Sequence, residues 1–206
     1  TSPTVHANSA KVVLYGASYS VYVRITQLVL MEKQIKFDLH EIDIFAKAGN
    51  DDYLQMNPFG KIPTFKHGDF SLFETSAIAR YIDAAFDNAP ILYPRDAQIC
   101  ARVNQIISIL DNYAYPSLVW GVYVEACESD KPDVEKIAEA MSRAKICLKS
   151  LEDIITGDDH LIGDSLSMAD LHAAPMFDYF MKSEAGQKTL PGYPKLSNWW
   201  SNIQIR

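Results

Sequence analysis

Hydrophobic and polar positions alternate in short blocks over the first 86 residues and then change to one long-period pattern. "KVVLYG" (11–16) is a short apolar run closed by Gly16, the mark of a buried strand. "VYVRITQLVLMEKQ" (21–34) repeats apolar residues at Val21, Ile25, Leu28 and Val29, which is helix spacing. "FDLHEIDI" (37–44) sets Phe37, Leu39, Glu41 and Asp43 on one face and Asp38, His40, Ile42 and Ile44 on the other, predicting a second strand. Strand, helix and strand this close together make a right-handed βαβ unit with parallel strands. A loop and short helix are expected in "AKAGNDDYLQMN" (46–57), followed by strands "IPTFKH" and "FSLFE" joined at Gly68-Asp69, a hairpin signal. "ETSAIARYIDAAF" (74–86) is helical again, with Ile78, Tyr81, Ile82, Ala85 and Phe86 on one face. Four strands ordered βαβ, short α, ββ, α complete a thioredoxin-like sheet.

Beyond "DNAPILYPRD" (87–96), which has two prolines and no period and reads as a linker, every segment is helical. Residues 98–127 predict one long helix kinked near Pro116. Residues 131–155 start with a proline near the first turn and carry the stripe Val134, Ile137, Met141, Ala144, Leu148, Leu151 and Ile155. Ser167 followed three residues later by Asp170 is a variant capping box opening another helix, and "YPKLSNWWSNI" predicts a last short one. The expected organisation is a disordered leader (1–10), an α/β thioredoxin-like domain (11–86), a linker (87–96) and an all-α helical domain (97–206).

Composition narrows what such a chain can do. A net charge of −7 without a basic cluster disfavours nucleic acid, and no apolar run is long enough for a transmembrane helix. The three cysteines, Cys100, Cys127 and Cys147, have neither metal-ligand spacing nor a disulfide framework. They predict small core residues, no metal and a reducing, cytoplasmic setting. His160 and His172 read as ordinary histidines without ligand partners in spacing.

Three segments could carry chemistry. In "NPFGKIPTF" (57–65), Pro63 sits where a strand begins; a cis Ile62-Pro63 bond would turn the Ile62 amide and carbonyl toward a peptide-like ligand, though plain turn punctuation explains the proline equally well. In "ETSAIARYI" (74–82), Glu74, Thr75 and Ser76 open a helix whose free N–H groups attract a carboxylate, while Glu74 could pair with an ammonium; ordinary capping by Thr or Ser is the competing explanation. In "LYGASYSVYVRI" (14–25), five hydroxyls crowd a strand-to-helix junction. A serine there either caps the helix or donates to a thiolate, and with the helix dipole it would lower a thiol pKa from about 8.5.

Taken in order, "LYG…S…R…L…EK", "NPFGKIPTF" and "ETSAIARYI", followed by a helical half with "LIGDSLSMADL", resemble the glutathione S-transferase family over nearly the whole chain. The likeness is greatest to its serine-type members, the theta, phi and bacterial-like branch. The resemblance implies a cytoplasmic, homodimeric transferase acting in detoxification, with glutathione as co-substrate and small hydrophobic electrophiles as partners, and no nucleic acid or membrane. The family's catalytic serine lies four positions before the first-helix arginine; with Arg24 in that place it is Ser20, with Tyr15 and Ser18 as competitors. Glutathione would be held by Lys47, Lys61, Ile62, Pro63, Glu74 and Thr75. Lys47 stands near the position where many members carry histidine for the glycine carboxylate. Tyr19, Tyr113 and Trp120 would wall the hydrophobic pocket, the last two sharing a helix face because seven residues separate them. Two rival functions remain: a non-catalytic transferase-like interaction module, and a glutathione-dependent dehalogenase, etherase, isomerase or peroxidase.

Overall fold

A computed structural model describes residues 10–45, 51–87 and 90–206. The chain divides between Ile91 and Leu92 into two compact units. The first is built on a four-stranded sheet, β1 (Val12–Tyr15), β2 (Asp38–His40), β3 (Thr64–His67) and β4 (Phe70–Phe73), ordered β2-β1-β3-β4. β1 runs parallel to β2 and antiparallel to β3, which is antiparallel to β4. The thioredoxin-like arrangement is completed by α1 (Val21–Glu32), α2 (Asp51–Met56) and α3 (Thr75–Ala85). α1 and α3 pack against each other, and the core between helices and sheet is Leu14, Phe65, Ile25, Val29, Ile78 and Ile82, all at 0% exposure.

Local signals and structure agree closely here. His67 pairs with Phe70 across Gly68-Asp69, and Gly68 takes a φ of +60°, the two-residue hairpin that the sequence predicts. The second strand is shorter than the alternation over 37–44 suggests. β1 offers only a few partners, and beyond it the pairing runs on through two bonds to Gly16, its N–H to His40 O at 3.0 Å and the Ile42 N–H to its carbonyl at 3.3 Å. The helical pattern beginning at Val21 holds, though Val23, Thr26 and Leu30 are also buried.

At the end of α1, Lys33 is 1% exposed and forms an ion pair with Asp83 of α3 at 2.9 Å while donating to the Pro90 carbonyl at 3.0 Å. A cation this deep is tolerated only because its charge and hydrogens are met on the spot. Nothing in the local sequence marks Lys33 as buried, since the periodicity ends at the preceding turn.

The second unit is helical: α4 (Ala97–Ile109), a π-type helix (Leu110–Glu128), α5 (Val134–Ile154), α6 (Met168–Lys182), α7 (Glu184–Thr189), a 3-10 turn (Leu190–Gly192) and α8 (Pro194–Ile203). Where one α-helix kinked at Pro116 is expected, the winding instead changes at Leu110, and the wider helix continues past the proline to Glu128. The α5 stripe is buried from Ala144 onward, but Val134 at its start is 77% exposed, because the first turns of α5 project beyond their neighbours. Of the three cysteines only Cys147 is a core residue; Cys100 is half-buried and Cys127 lies exposed in the last turn of the π-type helix. Burial pushes the Cys147 thiol up to about 12. His172 is not an isolated histidine: fully buried on α6, its Nε2 lies 2.7 Å from Asp111 Oδ1 on the π-type helix.

Asp170 organises this unit. Its carboxylate is fully buried and accepts the Ser167 N–H (2.8 Å), the Ser167 hydroxyl (2.9 Å), the Leu161 N–H (2.7 Å) and the Trp199 indole N–H (2.9 Å). One side chain thus caps α6, fixes the loop before it and anchors α8. Replacing Asp170 by Asn puts an NH2 group against donors and strands part of the set. Asp170→Asn is expected to lower stability by about 3 kcal/mol or more, read as a fall in the urea unfolding midpoint at constant m.

Candidate active site

The strand register decides what meets what. His40 pairs with Tyr15, Tyr15 with Thr64, and Thr64 with Phe73. These four residues form one row across the sheet, and four segments emerge past it at the same end: 41–45, 16–20, 61–63 and 74–76. Segments far apart in sequence therefore converge, including the three that carry the chemical signals. α1 and α3 both begin there, so two helix N-termini and their unpaired N–H groups point to this end.

Gly16 makes the first turn possible. A Cβ at Gly16 would lie 2.4 Å from Val23 Cγ2 and 3.4 Å from Ile62 Cβ, so only glycine lets β1 pass this close to α1 and to Ile62. The chain then runs through Ser18 and Tyr19, both exposed, to Ser20 at the N-cap of α1. Ser20 Oγ accepts the Val23 N–H at 3.5 Å, the outer limit of a hydrogen bond. That cap uses an oxygen lone pair and leaves the hydroxyl hydrogen able to donate elsewhere. Capping and donation, the two readings of this serine, are therefore compatible. Tyr15 stands on the strand itself, half-buried, its ring edge-on to His40 at 5.1 Å.

The Ile62-Pro63 bond is cis. The loop before it is held by two side chains that sequence patterns do not single out. The Tyr53 hydroxyl donates to the Lys61 carbonyl at 2.7 Å, and Asn57 Nδ2 donates to the same carbonyl at 2.7 Å. With its only proton committed there, the Tyr53 oxygen receives the Thr64 hydroxyl at 2.9 Å. Asn57 Oδ1 accepts the Phe59 N–H at 3.1 Å. Tyr53 and Asn57 are 3% and 2% exposed, and burial pushes the Tyr53 phenol above its ordinary value. The Lys61 backbone is fixed while its side chain is exposed. An Asn-Pro pair at 57–58 signals a turn; nothing in the sequence signals Tyr53.

Glu74 is the N-cap of α3 with φ +71° and ψ 109°, a conformation a residue with a Cβ rarely takes. Its side chain makes no cap bond. Thr75 and Ser76 lie inside the first turn, so ordinary capping by Thr or Ser is not what the structure shows. The first N–H groups of α3 are left without a side-chain cap, and a strained residue precedes them, a pairing typical of ligand sites. Thr75 is 7% exposed; Glu74 is exposed. Lys47 lies outside the described residues.

On the helical unit, Tyr113 and Trp120 have different neighbours. Tyr113 borders a cavity of about 400 Å³ with Pro116, Ile146 and Cys147, whereas Trp120 sits edge-on to Tyr115 at 6.5 Å. In a π-type helix each turn takes more than four residues, so a seven-residue step no longer returns to the same face. Among the described residues no group of three or more His, Cys, Asp or Glu is placed to hold a metal ion, and no helix is long and apolar enough to cross a membrane.

A thioredoxin-like unit with a cis-proline edge and two helix N-termini at one sheet end is followed by a helical unit. Two family models match: the glutathione S-transferase N-terminal domain over residues 14–90 and the C-terminal domain over 114–206. Among curated proteins, glutathione S-transferase F13 of Arabidopsis thaliana is 30% identical over 200 residues, covering 94% of this chain and 90% of the relative. Glutathione S-transferase PARB of Nicotiana tabacum is 26% identical, with 94% and 92% covered. Among solved structures, glutathione transferase F7 from Populus trichocarpa superposes with a TM-score of 0.83 at 28% identity, over 95% of this chain and 94% of that one. A glutathione S-transferase-I bound with lactoylglutathione gives 0.81 at 26%, with 96% and 95% covered. The chain belongs to the glutathione S-transferase family.

Tyr53 and Asn57 share one acceptor, so their removal should not be additive. Either Tyr53→Phe or Asn57→Ala alone leaves the Lys61 carbonyl one donor; both together leave it none. Each single change is expected to cost about 1 kcal/mol and the double variant more than their sum, read from urea unfolding as a double-mutant cycle.

Proposed function

We propose that the protein binds glutathione across this sheet end and conjugates its thiolate to small hydrophobic electrophiles, with the Ser20 hydroxyl stabilising the thiolate. The observation that carries the reading is the convergence of Ser20, the cis Ile62-Pro63 edge and the uncapped start of α3 on one side of a single register row. Glutathione has a peptide backbone, a free carboxylate beside an amine, and a thiol. Ile62 offers the first a main-chain pairing edge. Glu74 and the N–H groups beginning at Thr75 suit the ammonium and carboxylate of the γ-glutamyl end. Lys61, exposed beside the edge, suits an anionic group. Relatives are named glutathione S-transferases, and one similar structure holds a glutathione conjugate, both consistent with this placement.

The chemistry is nucleophile activation. A thiolate at the start of α1 meets a positive helix end and one hydroxyl donor, which together favour the charged form. Sulfur then attacks the electrophilic carbon, a C–S bond forms, and the leaving group departs with its electron pair; the thiol proton has already gone to solvent. Holding thiolate and electrophile together supplies the rest of the rate. In this scheme Tyr19, adjacent to Ser20, serves as a pocket wall; burial and the Asp43 and Glu41 carboxylates push its phenol upward. A homodimer in the cytoplasm is part of the same proposal, supported by family membership.

The test is the pH profile of conjugation. A bound thiol with lowered pKa makes the rate rise with pH through that pKa and level off above it. Ser20→Ala is expected to move the rise upward by about one to two units, since one charge-assisted hydrogen bond is worth about 1.5–3 kcal/mol and a unit about 1.4. Glutathione affinity should change little, and Tyr15→Phe should leave the profile in place. A shift with Tyr15→Phe and none with Ser20→Ala would reassign the donor. Failure to bind glutathione at millimolar concentration would overturn the reading itself.

A further inference from the structure

Tyr53 and Asn57 stand four residues apart on one face of α2 and its last turn, which the Asn57 N–H closes on the Tyr53 carbonyl at 2.9 Å. Both side chains are buried, and both donate at 2.7 Å to the Lys61 carbonyl, so the two lone pairs of that oxygen are taken. The Lys61 carbonyl shares a planar trans peptide unit with the Ile62 N–H, and in such a unit the two groups point in opposite directions. Fixing the carbonyl therefore aims the N–H. Among the described residues neither the Ile62 N–H nor the Ile62 carbonyl has a hydrogen-bond partner, which leaves this edge available for pairing. The Tyr53 oxygen also receives the Thr64 hydroxyl at 2.9 Å. One phenol on α2 thus ties down the residue before Ile62 and the residue after Pro63.

We infer that Tyr53 is a positioning residue for glutathione: by aiming the Ile62 N–H and carbonyl, it sets the affinity for the peptide backbone of the co-substrate without touching it. The inference rests on the function proposed above and adds a residue on α2, outside the three segments that carry the chemistry. Asn57 shares the acceptor but is tied to its own turn, where its Oδ1 accepts the Phe59 N–H at 3.1 Å and its carbonyl accepts the Gly60 N–H at 3.0 Å. Of the two, only Tyr53 reaches both ends of the Ile62-Pro63 pair. With the phenol oxygen removed, the Lys61 carbonyl keeps one donor and the peptide is free to swing about it. An N–H···O bond weakens steeply as its angle departs from linear, so the loss falls on binding. Ser20 and the start of α1 belong to another segment, and a thiolate, once bound, is stabilised there as before.

Tyr53→Phe is expected to raise the glutathione KM about three- to tenfold, the range that the net worth of one hydrogen bond covers, with kcat at saturating glutathione within about twofold of the parent. Conjugation of 1-chloro-2,4-dinitrobenzene gives both constants, and titration calorimetry with glutathione alone gives the affinity. The same substitution strands the Thr64 hydroxyl, which is fully buried, so lost stability is the competing explanation. A second variant separates the two. Thr64→Val added to Tyr53→Phe removes the stranded hydroxyl and is expected to recover most of the lost urea midpoint while the KM stays raised. Thr64→Val alone keeps the Tyr53 bond to Lys61 and should leave the KM near that of the parent. A glutathione KM unchanged in Tyr53→Phe, or one that returns to the parent value together with stability in the double variant, overturns the inference and leaves the proposed function standing. A parent protein that binds no glutathione at millimolar concentration overturns both.

Discussion

The row His40, Tyr15, Thr64, Phe73 is the constraint from which the site follows. Strand register moves in steps of one residue, and each step turns side chains to the opposite face. Leu14 and Phe65 are paired and fully buried, so a slip of β3 against β1 would expel one of them from the core. The hydrophobic core thereby fixes which residues come next at the sheet's end. Ser20, Pro63 and Glu74 need no direct contacts with one another to be held together; burial of Leu14 and Phe65 does it for them.

The supports of this end are of two kinds. Gly16 works by absence, since a single added methyl would strike Val23, and it allows the loop bearing Ser20 to begin flush with the sheet. Tyr53 and Asn57 work by presence, converging on one carbonyl so that the residue before Ile62 has a fixed backbone and an exposed side chain. The helical unit uses the same economy in Asp170, where one carboxylate receives four donors from a loop, a cap and a distant indole. In the last two cases buried polar atoms are placed where several chain segments must agree.

How much of this could be read from sequence depends on the range of the interaction. The hairpin at Gly68-Asp69, the cis proline and the Ser167/Asp170 cap are encoded by residues within a few positions of each other, and all are present as expected. So is the order of strands and helices, because each element carries its own period. Tyr53 is invisible in sequence because its partners lie 8 and 11 residues away, in a loop and strand whose relative placement no local pattern reports. Lys33 reads as a surface lysine for the same reason. The π-type winding at Leu110 is hidden too, since an apolar-rich stretch satisfies more than one helical period and Pro116 points to a kink. Val134 and Cys127 depart in the opposite sense: residue type promises burial, but both sit near helix ends where the neighbours run out.

The two helix starts at the site are built differently, and the difference matches what each would face. α1 begins with a serine whose oxygen lightly satisfies one N–H while its own hydrogen is left to donate. That arrangement supplies a positive end with one directed proton, which suits a single compact anion such as a thiolate. α3 begins with a strained glutamate that satisfies none of its N–H groups through its side chain. Uncapped donors beside a carboxylate offer attraction to both signs at once, which suits a zwitterion carrying an ammonium and a carboxylate. Glycine or asparagine at position 74 would relieve the backbone, and serine or aspartate there would cap the helix. Glutamate does neither. It presents a carboxylate beside uncapped N–H groups, the pairing that the proposed binding of a zwitterion would use.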